Sequence, residues 1–116
     1  MSFNHSITQE KDNIVVISLS GRLIEKNQAI DLINEIDNLV NDDPLKLVID
    51  LSELNYMNSS GLNILITLLT KARKTGGEAV LANEPEIIKK LLIITKLNQV
   101  FTVAENKEKA LKHLRN

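Results

Sequence analysis

The sequence predicts an α/β protein of one domain, with a mixed, mostly parallel sheet that opens on a hairpin. Three observations predict it. Short runs rich in β-branched or aliphatic residues recur at 14–20, 45–51, 79–82 and 100–103, each bounded by polar, Gly or Pro residues as strands are. Stretches with apolar residues at helical spacing follow them in turn, and this alternation implies parallel strands joined by right-handed crossovers. With 116 residues the chain is long enough for a single hydrophobic core and too short for two, so one domain over residues 1–116 is expected.

The elements follow in order. Residues 7–21 hold two extended segments, with Lys11-Asp12-Asn13 as their polar turn, a β-branched second strand at 14–20, and Gly21 as its end. Asn27 is placed to cap a helix running to about Val40, whose apolar face is Ala29, Ile30, Leu32, Ile33, Ile36, Leu39 and Val40. The strand at 45–51 leads through a connection, 52–58, that is longer than the roughly 2–6 residues usual between strand and helix. The helix at 62–74 is apolar over more than half its circumference, so most of it is buried; Lys71, Arg73 and Lys74 suit the negative end of its dipole, and Gly76-Gly77 stop it. A strand at 79–82 precedes a helix opened by Asn83 and Pro85 and running to about Lys96. There Ile87, Ile88, Leu91, Leu92 and Ile94 make a core face, while Ile93 falls between Lys89 and Lys90 and hints at a protein-binding face. A last strand at 100–103 and a helix at 105–114 close the chain.

Function concentrates in Tyr56-Met57-Asn58-Ser59-Ser60-Gly61, between a buried strand and the most hydrophobic helix. Asn58, Ser59 and Ser60 are all capping types standing just ahead of the helix, where unpaired N–H groups point outward. One would suffice, and from these residues alone plain capping is the commoner reading; three of them, with a glycine that lets backbone or partner approach closely, also fit a place to hold or receive a phosphate.

The longer segment Asp50-Leu51-Ser52-Glu53-Leu54-Asn55-Tyr56-Met57-Asn58-Ser59-Ser60-Gly61-Leu62 resembles the signature of STAS domains, the family of bacterial anti-sigma factor antagonists. Lys74-Thr75-Gly76-Gly77-Glu78 resembles the family's turn after that helix, and residues 85–101 its later helix and last strand, so the likeness covers nearly the whole chain. The resemblance implies a single STAS-like domain, a right-handed βα superhelix with the hairpin strand at one edge. It makes Ser59 the phosphorylated serine; Asn58, Ser60, Gly61 and Asn63 around it, joined by Ile93 from the apolar pattern of the later helix, are the expected partner-binding residues. The implied partner is an anti-sigma factor that is also an ATP-dependent serine kinase, with a serine phosphatase as a further partner. Two departures stand out: Asn58 replaces the family's usual Asp, removing a negative charge beside the acceptor, and Lys96 replaces a frequent glycine.

Composition excludes other classes. A net charge of −1 with scattered Lys and Arg gives no footprint for direct nucleic-acid binding. The absence of cysteine removes disulfides, thiolate catalysis and thiolate metal sites, and makes the cytoplasm the expected compartment. No basic-then-apolar leader is seen at residues 1–6, and no run is long enough for membrane insertion. The two histidines, His5 near the chain end and His113 in the final helix, cannot be assigned to Ser59 as bases, and no hydrolase, Walker or dinucleotide motif occurs. The chain is therefore expected not to be an enzyme and to need no cofactor or metal. The other reading is a non-switching STAS module, a docking subunit of a membrane transporter complex.

Overall fold

The structure, a computed structural model, describes residues 2–115. Among them five strands form one sheet in the order β1-β2-β3-β4-β5. β1 (Phe3–Gln9) and β2 (Ile14–Leu23) are antiparallel, while β3 (Lys46–Met57), β4 (Glu78–Ala82) and β5 (Thr102–Ala104) add in parallel. The α-helices are α1 (Ile30–Leu39), α2 (Ser59–Lys74), α3 (Glu86–Ile94) and α4 (Lys107–Arg115). The expected class, a mixed and mostly parallel sheet behind an N-terminal hairpin, is the one observed.

Alternation along the strands divides the apolar residues between two layers. Val15, Ile17, Leu19, Leu47, Ile49 and Leu81 face α1, α2 and α3 in the larger core, which includes Leu32, Ile36, Leu65, Leu68, Ile88 and Leu92. Ile14, Val16, Val48, Val80 and Ala82, on the opposite face, meet Ala110 and Leu114 of α4, with the half-buried Leu111 beside them.

Several boundaries differ from the sequence reading, each for a physical reason. β1 starts at Phe3 rather than residue 7, so His5 lies in a strand, opposite Leu19 and bonded to Glu35, not at a loose end. Asp12 and Asn13 take left-handed φ values of 64° and 58°, which makes the tight turn. Gly21 does not end β2. It carries φ +87° within the strand, and a Cβ there would lie 2.0 Å from the Ser2 carbonyl oxygen. Asn27 caps nothing; a 3₁₀ turn, Lys26–Ala29, comes first, closed by a reciprocal capping box between Glu25 and Gln28. Of the expected α1 face, Ile30 and Val40 are exposed. A second 3₁₀ turn, Leu97–Gln99, follows α3, which ends at Ile94.

The largest difference concerns 52–58, expected to be a long connection. Most of it is strand: β3 runs to Met57, with Glu53, Leu54, Tyr56 and Met57 opposite Ser20, Gly21, Arg22 and Leu23. The register shifts between Ser18 and Ser20 and again between Gly21 and Arg22, each time placing an extra residue in β3. Such bulges twist the strand and re-aim its end. Here they carry β3 directly into α2.

Candidate functional site

The helix starts one turn earlier than the sequence suggested, at Ser59, because Asn58 alone is the cap. The Asn58 backbone is extended, and its Oδ1 accepts a hydrogen bond from the Gly61 N–H at 3.1 Å. Its Nδ2 donates to the Ile24 carbonyl at 3.1 Å, and its own N–H donates to the Leu23 carbonyl at 3.4 Å. One side chain thus ties the start of α2 to the end of β2, and the two bonds together fix which amide atom points where.

Ser59 and Ser60 therefore sit in the first helical turn and are not caps. Ser59 is exposed and Ser60 half-buried. Among the described residues no hydrogen bond engages either hydroxyl. Gly61, expected on the partner surface, is buried instead. A Cβ there would fall 2.5 Å from the Leu23 carbonyl oxygen and 2.7 Å from the Met57 Cβ, so the close approach it permits is that of β2 and β3 beneath the helix.

Ser59 stands on the wall of an open groove of about 420 Å³, between the end of β3 and α3. The groove is mostly apolar, lined by Tyr56, Met57, Ile87, Leu91 and Ile94, with the Lys90 side chain also on it. Ile94 is 77% exposed and Ile87 49%, although the sequence placed both on a core face. Only Ile88 and Leu92 of α3 are fully buried, so the overfilled apolar pattern leaves one flank facing the groove. Ile93 is 52% exposed but does not line it. The signal that would have found the others was available: Ile87, Leu91 and Ile94 form an i, i+4, i+7 stripe. Ser60 and Asn63 open onto the other flank of α2, with Lys26, Ile64 and Thr67. Asn58 and Ser59 thus share the groove, Ser60 and Asn63 a neighbouring hollow, and Gly61 neither.

Arg22, opposite Tyr56 across β2 and β3, holds its guanidinium 5.0 Å from the Tyr56 ring centre. This is a cation–π contact that steadies the groove's aromatic wall. His5 is committed to Glu35, and His113 stands beside Lys46, Gly76 and Glu78, near the starts of β3 and β4, whereas Ser59 follows the far end of β3.

This architecture and the Ser59 turn define a single α/β domain of known class. The chain belongs to the STAS domain family, whose sequence profile matches residues 5–110. Among relatives, it is 27% identical over 105 residues to BtrV of Bordetella bronchiseptica, which carries the name of an anti-sigma factor antagonist, with 90% of each chain covered. Its backbone is similar to that of an anti-sigma factor antagonist from Mycobacterium paratuberculosis (TM-score 0.80, 28% identity, 99% of this chain and 96% of that one covered). It also shares its fold with SpoIIAA in the unphosphorylated form (TM-score 0.79, 18% identity, 97% and 96% covered). The Bacillus SpoIIAA in the phosphorylated form matches at a TM-score of 0.68 and 20% identity, with 97% and 100% covered.

Proposed function

We propose that this chain is an anti-sigma factor antagonist whose unmodified form docks an anti-sigma factor through the surface around Ser59, and that phosphorylation of Ser59 by that partner's serine kinase activity ends the docking. Release of the antagonist leaves the anti-sigma factor free to hold its sigma factor, which regulates transcription without direct contact between this chain and DNA. The observation that carries the reading is the exposed Ser59, in the first turn of α2 and on the rim of an apolar groove, with no hydrogen bond to its hydroxyl among the described residues. The names of its relatives point the same way. Among the described residues no base is hydrogen-bonded to Ser59, which suits a substrate of a kinase rather than a nucleophile of an enzyme. We place the chain in the cytoplasm with that partner; among the described residues no helix is long and apolar enough to cross a membrane.

The transfer forms an Oγ–P bond at Ser59 while the γ-phosphoanhydride of ATP breaks. ADP leaves, and the hydroxyl proton passes to a base of the kinase. The phosphate adds about −1.5 to −2 charge. At the start of α2, whose first turn carries no acidic residue, each unit of negative charge is favoured by roughly 0.3–1 kcal/mol, so the fold survives. A partner packed against the groove would instead have to bury that charge. A penalty of even ~3 kcal/mol weakens a complex more than a hundredfold. A serine phosphatase that restores the hydroxyl completes the cycle.

Incubation with the cognate kinase and ATP, followed by mass mapping, is expected to place the phosphate on Ser59; phosphate elsewhere, or none, defeats the assignment. Ser59→Asp is expected to abolish partner binding while leaving the melting temperature within a few degrees. Asn58 favours one other reading. An amide replaces the carboxylate expected beside the acceptor, as suits a STAS module that docks permanently in a membrane transporter complex. Co-purification with a membrane ATPase rather than a soluble kinase-like protein would establish that reading instead.

A further inference from the structure

We propose that Lys90 is the counter-charge that a phosphate on Ser59 recruits, so that modification bridges the mouth of the adjacent groove. The proposal rests on Ser59 as the acceptor and adds a residue that the resemblance does not supply. Ser59 and Lys90 line the same groove from different elements, the start of α2 and the middle of α3, over a floor that is mostly apolar. Lys90 is exposed. Among the described residues it enters no ion pair, so its charge is uncommitted. Glu86, one turn earlier on α3, stands outside ion-pair distance of it. Among the described residues the groove lining contains no carboxylate. Where the family usually places one, beside the acceptor, this chain has the neutral Asn58, whose amide is already committed to Gly61 and Ile24. Arg22 approaches from β2 but is held over Tyr56, with its Nε buried and without a hydrogen-bond partner. Lys90, on a flexible four-carbon stem, is thus the mobile cation available to this groove.

Two consequences follow. In the unmodified protein Lys90 offers its charge outward, so the segment that docks here is apolar with a carboxylate at its edge. In the phosphorylated protein the same ammonium turns to the phosphate, and the pair lies across the apolar floor such a segment would cover. The modification then removes an attraction as well as adding a repulsion.

The test uses the full chain with phosphoserine installed at position 59 during translation, so it needs no kinase. The second ionisation of the phosphate is followed by phosphorus NMR in the Lys90 protein, in Lys90→Gln and in Lys90→Arg. An ammonium a few ångströms from the phosphate is expected to hold that pKa about half a unit lower in the Lys90 protein than in Lys90→Gln. Lys90→Arg should restore the lower value, and added salt should shrink the difference. Equal values in Lys90 and Lys90→Gln overturn the proposal. Because the side chain is exposed, melting temperatures should agree within a few degrees, which separates the effect from unfolding. Failure of the kinase to modify Ser59 would instead count against the acceptor assignment and leave this measurement intact.

Discussion

Asn58 is the residue on which the site turns, and its type was legible where its geometry was not. A capping role could be read from Asn beside two serines, but nothing in the sequence says that Nδ2 reaches back to the Ile24 carbonyl, since that contact spans two elements. Asn58→Ala should lower stability by about 1–2 kcal/mol, through the lost cap and an orphaned carbonyl. Asn58→Asp keeps the acceptor and loses the donor, so it should fall between the two; chemical denaturation of the three proteins checks the order. Gly61 was read as room for a partner, and the structure makes it room for Leu23 and Met57. In most helices Gly→Ala stabilises. Gly61→Ala should do the reverse, by roughly 1–3 kcal/mol, because the new methyl meets backbone that cannot yield. Lys96 is the counter-case. Its φ of +63° explains why a glycine suits this place after α3, a requirement visible only once the turn is built. Lys96→Gly should raise the melting temperature by a few degrees, about 1 kcal/mol of relieved left-handed strain.

At the scale of elements, regular periodicity was readable and interrupted periodicity was not. The runs at 14–20 and 45–51 are short, apolar and β-branched with turn residues ahead of them, and strands were found there. Beyond Leu51 the buried residues are Leu54 and Met57, a spacing of three that no flat strand shows. The two bulges create that spacing, so the second half of β3 passed for a loop. α3 failed in the opposite sense: its apolar residues are periodic, but too numerous for one face. Ile94→Asp should therefore leave stability nearly unchanged, since the side chain is exposed, while weakening partner binding at least tenfold by placing a carboxylate on the groove. Unchanged binding would take α3 out of the docking surface. The connection leading into α3 also carries a pH dependence. Burial raises the pKa of Glu84 above its usual 4.5; Lys89 opposes this and Glu86 adds to it. A raised acid contributes stability that is complete below its unfolded pKa and is lost as pH rises through the folded one. Glu84→Gln should accordingly gain melting temperature over the parent near pH ~7 and lose that advantage near pH ~4; no change in the difference would mean that the charge is fully solvated.

For the whole molecule, the decisive feature is unequal layering on the two faces of one sheet. α1, α2 and α3 bury the larger core, and α2 and α3 carry every residue of the Ser59 groove that does not come from β3 or the Asn58 cap. α4 covers only the lower part of the opposite face, where Val16, Val48 and Val80 meet Ala110 and Leu114. Farther along the same strands that face turns polar, with Ser18, Ser20, Asp50 and Ser52 in place of aliphatics, and among the described residues only strand residues line the hollow they form. The change from valine to serine on that face of β2 after Val16 stands in the sequence, but the reading of 14–20 as one β-branched strand passed over it. The sequence could not show that α4 and the groove share no side-chain layer. That separation predicts independence. Leu114→Ala removes the larger of the two buried α4 anchors and should lower global stability by roughly 2–4 kcal/mol. Amide exchange in α4 should quicken far more than in α2, whose Leu65 and Leu68 lie wholly within the other core. At a temperature where the variant remains folded, its affinity for the docking partner and its rate of modification at Ser59 should match those of the parent within about twofold. If binding fell in step with α4 exchange, the two faces would be coupled through the sheet, and the groove could no longer be treated as a site supported by α2, α3 and β3 alone.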